Sequence, residues 1–160
     1  MVNVGDDAPE FTGSLVTEEM TPFRLTDHLG DGPVVLAFFP AAFSGTCTDE
    51  MRALRDGIDE FGKKTTVLGV STDLPHALQR YRGEYDLPFP LVADPDHNGI
   101  EAYDVVAAFD RYGVEVVARR AVFVIDADGT VTYRWLAENP GQEPDYDALV
   151  DAIPESTASN

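Results

Sequence analysis

A chain of 160 residues with 44% apolar and 10% aromatic residues has material for one packed core, so a single domain over 1–160 is expected. It carries 29 Asp and Glu against 11 Lys and Arg, a net charge of −18, which excludes nucleic acid and anionic membrane surfaces as partners. The longest apolar stretch, Val34 to Phe39, is far too short to span a bilayer.

Met1 to Asp7 lacks the basic-then-apolar order of a secretory signal, so a cytoplasmic location is expected. Residues 9–29 hold short mixed segments around Gly13 and Pro22, consistent with an N-terminal hairpin. Val34 to Phe39 is apolar throughout, as a strand buried on both faces requires. From Ser44 onward, Met51, Leu54, Ile58 and Phe61 fall near helical spacing, with Gly62 as the stop. Val67 to Ser71 reads as a second buried strand, and Leu74 to Tyr85 as a helix with Pro75 in its first turn. Leu91 to Asp94 is a short strand and Asn98 to Tyr103 a short helix. Ala121–Asp126 and Thr130–Leu136 flank Ala127-Asp128-Gly129, which signals a hairpin. Tyr146 to Ile153 closes as a helix, and 154–160 reads as a flexible tail. This order predicts an α/β fold: a mixed central sheet flanked by helices on both faces.

Cys47 is the single cysteine, so no disulfide can form within the chain. A lone cysteine can be a small buried hydrophobe with no chemistry of its own. Its setting points elsewhere. Ser44 is a good N-cap residue, which puts Cys47 near the third helical position, where free N–H groups and the helix dipole favour a thiolate. The preceding strand ends there too, at the sheet edge where open α/β sheets place their sites. His28, His76 and His97 lie in loop-like or helix-start surroundings away from any Cys or acidic cluster at ligand spacing. They are expected to be solvated, with no metal site, no cofactor and no Cys–His hydrolase.

Pro40-x-x-x-Ser44-x-x-Cys47 after Phe38-Phe39 resembles the Pro-x-x-x-Thr/Ser-x-x-Cys signature of peroxiredoxins of the AhpC/TSA family. Phe43 before Ser44, and Glu50 three residues after Cys47, match as well. The likeness covers nearly the whole chain, through Val4-Gly5-Asp6, Ala8-Pro9, Leu87-Pro88-Phe89-Pro90-Leu91 and Arg120 to Asp126. It is most similar to short one-cysteine members like alkyl hydroperoxide reductase E.

The resemblance implies a thioredoxin-like fold and a thiol-dependent peroxidase acting on hydrogen peroxide and organic hydroperoxides, a homodimer in antioxidant defence. It makes Cys47 the peroxidatic nucleophile, oxidised to a sulfenic acid. Pro40 would shield the sulfur, Ser44 hold the peroxide, Arg120 supply a fixed cation and Glu50 orient that arginine. Each also has a plain structural reading: Ser44 as cap, Glu50 as an exposed first-turn acid, Pro40 as a strand stop. Neighbours on a strand face opposite ways, so only one of Arg119 and Arg120 can face the site, and the family register selects Arg120.

Many relatives carry a resolving cysteine; five residues after Cys47 this chain has Arg52. The sulfenic acid therefore needs an external thiol or redoxin as reductant. The same fold and cysteine would also serve a redox sensor or an oligomeric holdase. Repeated turnover with an external thiol, against a single stoichiometric oxidation, separates these readings. The acidic surface fits a salt-in halophile, whose cytoplasm screens charge, or an acidic mesophile.

Overall fold

Val34–Phe38 (β3) is buried at all five positions. The computed structural model describes residues 2–153, apart from the side chain of Arg111, and sets that strand inside a seven-stranded sheet. The expected tail, 154–160, lies outside the described residues.

β1 (Thr12–Val16) and β2 (Met20–Arg24) form the N-terminal antiparallel hairpin that the sequence predicts. β4 (Thr66–Ser71) and β5 (Leu91–Ala93) follow β3, and later come β6 (Val106–Phe109), β7 (Val114–Ala118), β8 (Ala121–Ile125) and β9 (Val131–Leu136). The main sheet has the order β2-β1-β5-β4-β3-β8-β9. β3, β4 and β5 run parallel, whereas β8 lies antiparallel to β3, so the sheet is mixed as expected. The helices are α1 (Gly45–Asp56), α2 (Pro75–Glu84), α3 (Asn98–Ala102) and α4 (Tyr146–Ala152).

Alternation along β3 sorts its side chains between two buried clusters. Val35 and Ala37 pack with Met51 and Leu54 of α1, Leu78 of α2 and Leu149 of α4. Val34, Leu36 and Phe38 pack on the other face with Phe11, Phe23 and Ile100. Both faces are covered, which explains why β3 has no polar position.

Two expectations need correction. Helical spacing from Ser44 to Phe61 is not one helix, because Gly57 ends α1 and its N–H bonds to Ala53 O. Ile58–Phe61 then tightens into a 3-10 turn that stops at Gly62, whose φ of 95° suits glycine. The second concerns Val106 to Ala118, to which the sequence assigns no element. There β6 and β7 pair as a separate antiparallel hairpin, turned through Gly113 at φ 72°.

Candidate active site

The route from β3 to α1 sets the geometry. Phe39 N–H still bonds to Val70 O, and buried Pro40 turns the chain out of the sheet. Phe43 then takes a left-handed φ of 66°, a costly state for a residue with a Cβ. Its ring lies edge-on to Tyr81, at 4.9 Å between centroids, and this packing holds the turn. Extended Ser44 precedes α1, so Cys47 is the third helical residue, as the sequence predicts.

Ser44 occupies the N-cap position without the side-chain bond expected of it. Its hydroxyl donates back to Ala41 O at 3.0 Å, and the first helical bond is Thr48 N–H to Ser44 O at 2.9 Å. The hydroxyl therefore keeps its lone pairs free of the helix N–H groups.

Arg120 comes from the connection between β7 and β8 and is 2% exposed. One guanidinium nitrogen donates to Cys47 Sγ at 3.3 Å and to Pro140 O at 2.8 Å, and the other to Glu50 Oε1 at 2.7 Å. Arg119 turns elsewhere and gives its Nε–H to Ala137 O. The choice between the two arginines is thus geometric, and Arg120 is the one beside the sulfur. Changing Arg119 to Ala is expected to alter peroxide reactivity by less than about threefold, measured by stopped-flow oxidation of Cys47.

Glu50 is fully buried, not the exposed first-turn acid of the plain reading. Burial pushes its carboxyl up to about 7, with Arg120 pulling the other way. Burial likewise opposes the Arg120 charge, but Glu50 and Cys47 outweigh it and hold the guanidinium above its ordinary value. Among the described residues, Glu50 Oε2 and Arg120 Nε have no hydrogen-bond partner.

A raised carboxyl favours the fold when protonated. That contribution is full below the ordinary value of 4.5 and disappears as pH rises through about 7. Denaturant titrations from pH 4 to 8 should show this slope in the wild type and lose it in Glu50→Gln.

Cys47 is completely buried, packed in the core cluster on the α1 face. A cleft of about 460 Å³ opens beside it, walled by Ser44, Thr46 and Arg120 and by Phe109 and Tyr112 of the β6–β7 region. Sequence reasoning missed that second wall, because the hairpin carries no motif; the signal available was Gly113 before the valine-rich Val114-Glu115-Val116-Val117. The histidines take no part. His76 is exposed, His97 starts α3 in a left-handed conformation, and His28 is half-buried against the Phe23 ring rather than solvated.

The AhpC/TSA family model matches residues 4–134. The chain belongs to the AhpC/TSA family. Peroxiredoxin Bcp of Escherichia coli K12 is 36% identical over 134 residues, 82% of this chain and 84% of that protein. Alkyl hydroperoxide reductase E of Mycobacterium bovis is 31% identical over 163 residues, 99% of this chain and all (100%) of that protein.

Among solved structures, peroxidoxin BcpB of Mycobacterium tuberculosis superposes with a TM-score of 0.81 at 29% identity, covering 95% of this chain and 96% of that one. Bacterioferritin comigratory protein of Xanthomonas campestris, described by its alkyl peroxide reduction activity, gives 0.77 at 26% identity, covering 92% of each chain. This peroxiredoxin has the thioredoxin-like fold that its motif implies, and it is a thiol-dependent peroxidase with a single cysteine.

Proposed function

We propose that Cys47 carries the peroxidase chemistry, and the observation that supports this most is the Arg120 guanidinium 3.3 Å from its sulfur. A guanidinium that stays charged favours the thiolate and remains in place as negative charge develops on the leaving oxygen. The thiolate attacks one peroxide oxygen, the O–O bond breaks, and the departing oxygen takes a proton to leave as water or an alcohol. The cysteine's proton balances that step, so thiol plus peroxide becomes sulfenic acid plus alcohol.

Ser44 holds the peroxide. Its own proton is committed to Ala41 O, so its oxygen accepts from the hydroperoxide O–H. Pro40 excludes water from the sulfur, and Glu50 fixes the plane of Arg120. The sulfenic acid then condenses with an external thiol, releasing water. A second thiol exchanges that mixed disulfide, returning Cys47 and leaving an oxidised thiol pair. The reductant is a small thiol or a redoxin. The substrates are hydrogen peroxide and organic hydroperoxides, the activity of the Xanthomonas campestris relative supporting the latter.

Mass spectrometry of the protein after one equivalent of peroxide tests the scheme. Cys47 should gain one oxygen and be returned by thiol through a mixed disulfide; an unmodified thiol rules it out.

The remaining assignments complete the reading: one domain over 1–160, a homodimer in antioxidant defence, and a cytoplasmic location. Among the described residues, no helix is long and apolar enough to cross a membrane. The net charge of −18 supports a salt-in halophile as the source, with self-repulsion weakening the compact state when salt is low. Thermal melts should therefore rise by at least about 10 °C between dilute buffer and molar KCl, and an unchanged midpoint would leave an acidic mesophile.

A further inference from the structure

The peptide unit that receives the Ser44 hydroxyl is itself held from its other side. Ala41 O accepts from Ser44 Oγ at 3.0 Å, while Ala42 N–H donates to Asp73 Oδ2 at 2.8 Å. Ala41 O and Ala42 N belong to one planar peptide, so fixing the N–H fixes the direction of the carbonyl. Asp73 is in turn held by fully buried Ser71 at the end of β4, whose hydroxyl donates to Asp73 Oδ2 at 2.7 Å and accepts from Asp73 N–H at 3.2 Å.

We infer that Asp73 is a positioning residue for peroxide reduction, acting through the Ala41–Ala42 peptide to aim the Ser44 hydroxyl. The relay runs from Ser71 through the Asp73 carboxylate and the peptide to Ser44, and it ties the loop to β4, the strand next to β3 in the sheet. The loop needs such a tie, since Phe43 beside it holds a left-handed φ of 66°. Without it the peptide can rotate, the hydroxyl loses its acceptor, and the oxygen meant for the peroxide points elsewhere. The inference rests on the Ser44 role proposed above.

The test compares two reactions of Cys47: single-turnover oxidation by hydrogen peroxide, and alkylation by iodoacetamide, which does not use Ser44. Asp73→Ala should slow the peroxide reaction by about 30-fold and alkylation by less than about threefold, a misaimed group being costly only where geometry matters. Asp73→Asn, which keeps an acceptor for Ala42 N–H, should recover most of the rate. In a Ser44→Ala background, Asp73→Ala should add almost nothing, because both changes remove one function.

Equal slowing of both reactions overturns the inference, as do losses that multiply in the double variant or an Asp73→Ala that keeps the peroxide rate. A Ser44→Ala protein with the wild-type rate sinks the Ser44 role itself, and the inference with it. Should Asp73→Ala fail to fold, Ser71→Ala decides through the same pair of rates: a peroxide-selective loss of about fivefold supports the relay, and no loss overturns it.

Discussion

Cys47→Ser is expected to abolish turnover while leaving the fold in place. Serine differs by one atom and keeps the small volume that packs beside Met51 and Leu54. Its hydroxyl is a far weaker nucleophile, and the side chain hydrogen-bonded at that position is the Arg120 guanidinium, which cannot take its proton. Because the chain holds a single cysteine, no second thiol can substitute. Peroxide consumption with an external thiol should fall to the uncatalysed rate, and the melting curve should stay close to the wild type. Residual turnover in this variant would mean that another residue carries the chemistry. A wild type that oxidises once and never turns over would instead favour a sensor.

Arg120→Gln should slow peroxide oxidation of Cys47 by about 10²- to 10³-fold, the usual effect of removing a charged donor aimed at developing negative charge. The same change leaves Glu50 buried without its ionic partner, which costs about 3–5 kcal/mol of stability. Arg120→Lys should recover little, because one ammonium cannot reach Glu50, Cys47 and Pro140 together as the planar fork does. Catalysis and stability can then be separated. Arg120→Met combined with Glu50→Leu removes both charges, so most of the lost stability should return while the peroxide rate stays low. A double variant that regained the rate would show the ion pair to be scaffolding only.

The charge pair also explains an apparent mismatch between Glu50 and its surroundings. A carboxyl at 0% exposure beside a core cluster is normally an error of design. Here it accepts a hydrogen bond from the guanidinium that also reaches the buried sulfur. The cost is that burial lifts its protonation into the range near neutrality.

Much of the fold and the site is legible in the sequence. The unbroken apolar run of Val34 to Phe39 announces a strand covered on both faces, because alternation has no polar member to send outward. Asp128-Gly129 marks the β8–β9 turn, and Gly129 indeed takes a positive φ of 87°. Ser44 and Cys47 lie three residues apart in one local segment, so sequence places them together unaided. Where local rules misled, a tertiary contact had intervened. Ser44 looks like a side-chain cap, but its hydroxyl turns back to Ala41 O, on a peptide held by Asp73 from another strand end.

By itself the sequence determined the local chemistry: a single thiol at a helix start, a serine at its mouth, and the consequence that recovery needs a thiol from elsewhere. These follow from counts and from separations of a few residues, which the backbone's own geometry converts into proximity. The family register already favoured Arg120; only the tertiary structure brings its guanidinium to the sulfur, buries Glu50 and walls the cleft with the β6–β7 hairpin. Glu50 and Arg120 are 70 residues apart in the chain, and Cys47 and Arg120 are 73. Such contacts exist because β8 pairs with β3 across the sheet, and no local preference along the chain encodes that pairing.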